Sequence, residues 1–123
     1  MNHKTLEDLM IDDLVAQFAE ACVGQDRALI DSKISTFNRL YQQMDAVDKE
    51  LQRRGAHARL ALCELYEHPK QQVQLQAAKC TLAVAPVEAR RVIEAIAKSG
   101  RMPQAADARG SLRNLDEGIF RPD

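Results

Sequence analysis

Between Ile34 and Leu51 the apolar residues Ile34, Phe37, Tyr41, Met44 and Leu51 recur at helical intervals, reinforced by Leu40 and Val47. Side chains three and four positions apart share a face at 3.6 residues per turn, so this spacing predicts an α-helix. It starts at Asp31 or Ser32 and is closed by the basic pair Arg53 and Arg54 and by Gly55, residue types suited to a helix C-terminus. The rhythm is nearly heptad, but it lasts barely two and a half repeats and carries Asp48 on its seam. That favours a helix hairpin over an extended coiled coil.

The hairpin's first arm is predicted to precede it. Thr5 can cap a helix in which Leu6, Leu9, Met10, Leu14, Phe18 and Cys22 form a stripe widened by Ile11 and Val15. This helix is expected to run to about Val23, where Gly24 and the polar Gln25, Asp26 and Arg27 weaken the pattern. Ala28, Leu29 and Ile30 could carry it further.

Prolines punctuate the second half. Pro69, Pro86 and Pro103 are spaced 17 residues apart, and each opens a segment rich in helix formers, where the fixed φ and missing N–H of proline suit a first helical turn. The predicted helices are His57 to Glu67 with Leu60, Leu62, Leu65 and Tyr66 inward, and Pro69 to Val84, apolar on nearly every side. They are followed by Pro86 to Ser99 with Val87, Val92, Ile93 and Ile96 inward, and by Pro103 to Glu117 with Ala105, Ala106, Leu112 and Leu115 inward. Ile119 and Phe120 are expected to fold back onto the core, and Arg121 to Asp123 to be disordered.

Composition supports an all-α class. Eighteen alanines and thirteen leucines stand against sixteen β-branched residues in 123. The expected architecture is about six helices in antiparallel hairpins forming one domain over 1–123, with a long hairpin over 1–55 and a second helical set over 56–120. No apolar run approaches the roughly 20 residues that cross a bilayer, and Glu7 and Asp8 interrupt the first ten residues where a secretory leader would be apolar. A cytoplasmic protein is expected. Cys22, Cys63 and Cys80 are odd in number and lie among apolar neighbours, which reads as buried thiols in a reducing compartment.

The stretch Leu62-Cys63-Glu64-Leu65-Tyr66-Glu67-His68-Pro69-Lys70-Gln71-Gln72-Val73-Gln74-Leu75-Gln76-Ala77-Ala78-Lys79-Cys80-Thr81-Leu82 resembles the turn and second helix of a HEAT repeat. In that repeat a proline follows the turn, and a valine with paired small residues lets the second helix pack closely. The similarity reaches at most from Gly55 to Leu115. Gln74 stands where such repeats usually carry Arg, and His68 replaces the turn Asp. The resemblance implies a right-handed α-α superhelix that presents a surface to a partner. The whole chain, including Leu112-Arg113-Asn114-Leu115-Asp116-Glu117-Gly118-Ile119-Phe120, also resembles a family of small bacterial proteins, which implies a bacterial source and no particular activity.

Charge is distributed unevenly although the net value is −1. Met1 to Asp31 carries two basic and seven acidic residues, whereas Arg53 to Arg113 carries eleven basic and five acidic. Arg53, Arg54, Arg59, Arg90 and Arg91 are the candidate partner-contact residues. Asp12–Asp13 and Asp45–Asp48 read as solvated helix faces, since neither adjoins a His or a converging carboxylate. Asp116 and Glu117 oppose the dipole at a helix C-terminus and call for a cation such as Arg113 or Arg121.

No catalytic residue, cofactor site or metal site is predicted. The best nucleophile–base candidate is Cys63 with His68, both near one turn; His57 is the other histidine close to Cys63 in sequence, and His3 is remote from it. The expected function is a non-catalytic protein–protein interaction module with another protein as partner, homodimerisation remaining open. The alternative is a nucleic-acid-binding or regulatory protein using the basic 53–113 half, although no aromatics interleave with those residues to stack on bases.

Overall fold

The structure is a computed structural model that describes residues 5–123, and the remark on His3 falls outside them. Among the described residues all regular structure is helical. The chain divides into two compact units, Met1–Ala61 and Leu62–Asp123.

The first unit is built on a hairpin of two 20-residue helices, α1 (Ile11–Ile30) and α2 (Ile34–Arg53). At 1.5 Å per residue each arm is about 30 Å long. Thr5 does not start α1. It caps a single 3-10 turn, Leu6–Asp8, its hydroxyl donating to the Asp8 carboxylate at 3.0 Å, and the extended backbone of Leu9 and Met10 separates that turn from α1.

Gly24 does not end α1 either. A Cβ there would lie 2.7 Å from Leu40 Cδ1, so the bare backbone gives Leu40 of α2 the room it occupies. Helix continuation past glycine costs about 1 kcal/mol relative to alanine, which interhelical packing offsets. Leu14, Phe18, Cys22 and Ala28 of α1 and Met44, Val47 and Leu51 of α2 are buried. The turn between the arms runs through Asp31–Lys33, with Ser32 at φ +56.

Half of the α2 stripe departs from expectation. Met44 and Leu51 are buried as predicted, but Ile34 and Tyr41 at the hairpin tip are exposed. Asp48, expected in solvent, is buried instead and faces Arg59 of α3 (Ala56–Leu60), with Oδ1 3.6 Å from Nε and both side chains only 8% exposed. Its seam position, which argued against a coiled coil, is the place of a buried ion pair.

The predicted helix from His57 to Glu67 proves to be two elements, because the α-helix ends at Leu60, within the first unit, and a 3-10 helix, Ala61–Glu67, follows. Three residues per turn align positions three apart. Leu62 and Leu65 thereby share the buried edge, while Leu60, expected inward, is exposed. Next come α4 (Gln71–Thr81), α5 (Pro86–Ser99) and α6 (Gln104–Asp116). The three prolines sit at these starts: Pro86 within the first turn of α5, Pro103 as the N-cap of α6, and Pro69 just before Lys70, the N-cap of α4. Helix α4 stops at Thr81, earlier than predicted, and Ala85, which precedes a proline, takes a non-helical conformation at φ −143 and ψ 62.

The core of the second unit joins Leu75, Ala78, Leu82, Ala89, Ile93, Ile96 and Ala108. Helix α4 is buried round most of its circumference, as its composition suggested, yet Gln72 and Gln76 are part of what is buried. The Gln104 amide on α6 donates to Gln72 Oε1 at 2.9 Å, which satisfies a polar pair that would otherwise be costly in the interior. Val87 and Ala106 face solvent rather than the core.

Two outcomes follow. Asp48→Ala should destabilise the chain by roughly 3 to 5 kcal/mol, since Arg59 would remain buried without its counter-charge, while Asp48→Leu combined with Arg59→Met should recover much of the loss. Thermal and urea unfolding of the single and double variants measure this. Ala108→Leu, at a fully buried position, should cost about 1 to 3 kcal/mol through overpacking and lower the urea midpoint.

Candidate interaction site

The expected arginine face is largely committed to internal partners. In the first unit Glu50 gathers two of the five: Arg53 donates to its carboxylate at 2.6 and 3.0 Å, and Arg54 Nε donates at 2.7 Å. Arg54 also reaches back with Nη2 to the carbonyls of Leu6 and Glu7, at 3.0 and 3.2 Å, and so fastens the N-terminal 3-10 turn to the end of α2. Hydrogen bonds from Arg53 and then Arg54 pull the Glu50 carboxyl down to about 2, and the same contact raises Arg53.

Arg59 is withdrawn from the expected contact face altogether, because it is buried against Asp48. In the second unit Arg90 lies 3.0 Å from Asp116 and 3.5 Å from Glu94. Asp116 thus finds its cation on α5, not at Arg113 or Arg121. Of the five arginines only Arg91 is exposed with no ion pair among the described residues.

The cysteine candidates are occupied as well. Cys63 Sγ donates to Tyr66 Oη at 3.5 Å, an arrangement the 3-10 spacing creates by placing the two residues on one edge. Thr81 Oγ1 donates to the Ala77 carbonyl at 2.8 Å, so the short 2.5 Å contact with Tyr66 Oη has tyrosine as the donor. Burial, and then the Cys63 contact, raises the Tyr66 hydroxyl. His68 does turn work instead: its Nδ1 accepts from the Lys70 amide at 3.0 Å and its carbonyl accepts from the Gln74 side chain at 2.5 Å. Burial pushes the Cys22 thiol up to about 12. Among the described residues no group of three or more His, Cys, Asp or Glu is placed to hold a metal ion, and no helix is long and apolar enough to cross a membrane.

What stands out in the first unit is the hairpin tip. Ile30 is 66% and Ile34 75% exposed, and Leu29 and Tyr41 are exposed beside them. The Phe37 and Tyr41 rings stack with centroids 6.3 Å apart, one helical turn from each other. A cavity of about 110 Å³ opens here among Ala28, Leu29, Ser32, Lys33, Ile34 and Phe37. Lys33 and Arg39 are exposed on the same segment and have no ion pair among the described residues, whereas Arg27 is held by Asp31 at 3.0 Å. A larger groove of about 430 Å³ lies between α1 and α2, with Ala21, Leu40 and Val47 as its apolar wall and Gln17, Glu20 and Gln43 exposed along it.

The sequence pattern placed Ile34, Phe37 and Tyr41 on the apolar face of α2 and missed the exposure of Ile34 and Tyr41.

A family model matches residues 12–116 of the chain. The chain belongs to the DUF2019 family. The family is described as a domain of unknown function, and its match takes in all of α2 to α6 and nearly all of α1. Among solved structures the DUF2019 chain is similar to the protein RPA1889 from Rhodopseudomonas palustris CGA009, with 49% identity and a TM-score of 0.94 over 98% of this chain and 100% of that one. No curated protein matches it. That similarity extends the all-helical description from residue pattern to a crystallographically determined fold.

The Glu50 cluster gives this DUF2019 chain a pH signature. A carboxyl held at about 2 in the folded state against 4.5 ordinarily stabilises the fold fully above pH 4.5 and loses that contribution as pH falls towards 2. Glu50→Gln should therefore flatten the fall in unfolding midpoint between pH 4.5 and 2, as read by circular dichroism.

Proposed function

We propose that this chain is a non-catalytic, cytoplasmic protein-interaction module, with its helical hairpins stacked in the HEAT manner, and that the tip of the α1–α2 hairpin is its contact surface. The observation that carries this reading is the exposure of Leu29 and Ile30 at the end of α1 and of Ile34 and Tyr41 in the first turns of α2, with Phe37 stacked against Tyr41. Contiguous exposed apolar surface of this kind marks association sites, and aromatic residues are enriched at the centre of protein interfaces. The HEAT-like part of the reading rests on the Val73, Ala77 and Ala78 positions of α4, all fully buried where close helix packing requires small or branched residues.

A nucleic-acid surface built on the basic half has less support. Four of its five candidate arginines already face carboxylates. Phosphate binding would have to break those pairs or rely on Arg91 with more scattered cations.

Ile34→Asp should abolish recovery of the partner in a pull-down at moderate salt and leave helicity unchanged, because the residue is three-quarters exposed. Arg91→Ala should leave recovery intact. Nuclease-sensitive recovery that Arg91→Ala impairs and Ile34→Asp spares would instead support the nucleic-acid reading.

A further inference from the structure

The second exposed apolar element follows α6. Gly118 takes φ +73, its amide donates to the Leu115 carbonyl at 3.2 Å, and the Ile119 amide donates to the Asn114 carbonyl at 2.9 Å. This is the Schellman arrangement, in which the residue after the glycine commonly packs its apolar side chain against the last helical turn. Here that turn offers Arg113 and Asn114, and Ile119 is left 71% exposed with Phe120 beside it at 44%. The backbone is fixed by hydrogen bonds, including that from the Phe120 amide to the same carbonyl at 3.1 Å, while Ile119 stays mostly exposed and Phe120 partly so. A preordered apolar hook loses little conformational entropy on docking.

We propose that this hook docks into the hairpin tip of a second copy of the chain. The inference rests on the reading of the tip as a contact surface and names an occupant for it. The tip cavity of about 110 Å³ is of the right order for one branched aliphatic side chain, since a cavity of about 150 Å³ holds benzene. Ile119 enters that cavity, and Phe120 lies towards the Phe37–Tyr41 pair. Charge selects this pairing over a symmetric contact of tip with tip. Arg27 to Tyr41 holds three basic residues and one acidic, whereas Asn114 to Asp123 holds three acidic and one basic. Tip on tip would set Lys33 and Arg39 against their own copies; tip on hook sets them against Glu117 and Asp123. The contact is heterologous, so it propagates into rings or open chains of subunits.

The test is sedimentation equilibrium of the full chain and of two variants, Ile34→Asp and Ile119→Asp, both at exposed positions and both checked for helicity by circular dichroism. The wild type is expected to gain mass beyond the dimer as concentration rises, and each variant alone to stay monomeric. An equimolar mixture of the two should form a dimer and stop there, because each retains one half of the contact. Lys33→Glu should weaken wild-type association at low salt. A wild type that remains monomeric at millimolar concentration overturns the inference, as does association that Ile119→Asp leaves intact or a mixture of variants that stays monomeric. If the wild type is monomeric yet Ile34→Asp still abolishes partner recovery, the tip reading stands and the second-copy occupant falls.

Discussion

Leu40 lies in the space that a side chain at position 24 would fill, and that contact is part of the α1–α2 packing on which the long hairpin depends. Gly24 is a poor helix residue in isolation, and the polar run after it offers no apolar reason to continue. The helix continues because α2 lies against it, with Phe18, Cys22 and Ala28 on one arm and Met44, Val47 and Leu51 on the other supplying the buried surface. Carrying α1 to Ile30 has a second effect. It moves the turn out to Asp31–Lys33, so that Leu29, Ile30, Ile34, Phe37 and Tyr41 come together at the far end of two arms each about 30 Å long.

Small side chains set the character of the second unit. Ala77, Ala78, Ala89, Ala105 and Ala108 are fully buried, which allows backbones to approach and leaves only a few larger residues, such as Leu75, Ile93 and Ile96, to fill the centre. Polar groups enter the same interior in matched form, as with Gln104 on Gln72. Ion pairs tie neighbouring helices outside it: Lys79 on α4 meets Asp107 on α6 at 2.6 Å, and Arg90 on α5 meets Asp116 on α6. Such pairs on partly exposed side chains contribute little stability individually, but they occupy two of the eleven cations between Arg53 and Arg113.

The functional picture follows from what remains unspent after folding. Four of the five candidate arginines face carboxylates, the thiol of Cys63 is tied to Tyr66, and His68 closes a turn. The apolar side chains of the tip and of the hook after Gly118 stay exposed, and the two segments carry opposite charge. Both are also backbone-ordered, one by a helix hairpin and the other by a hydrogen-bonded helix end. Surplus apolar surface held in a fixed geometry is what association uses.

Local pattern determined the helical class, the closure of α2 near Gly55 and the bounds of α5, because periodicity, Pro86 and Gly100 act through the chain's own backbone. It also indicated that α4 would be buried, since Val73, Leu75, Ala77, Ala78 and Cys80 are spread around its circumference. The sequence could not say that Asp48 and Arg59 meet, because each reads locally as a solvated charge and only α3 folding against α2 makes one the counterion of the other. Nor could it separate Met44 from Ile34 on the same stripe. Periodicity assigns a residue to a face of a helix, while burial depends on whether another element reaches that part of the face. Tertiary structure decided that the inner half of α2 is core and its outer half is surface.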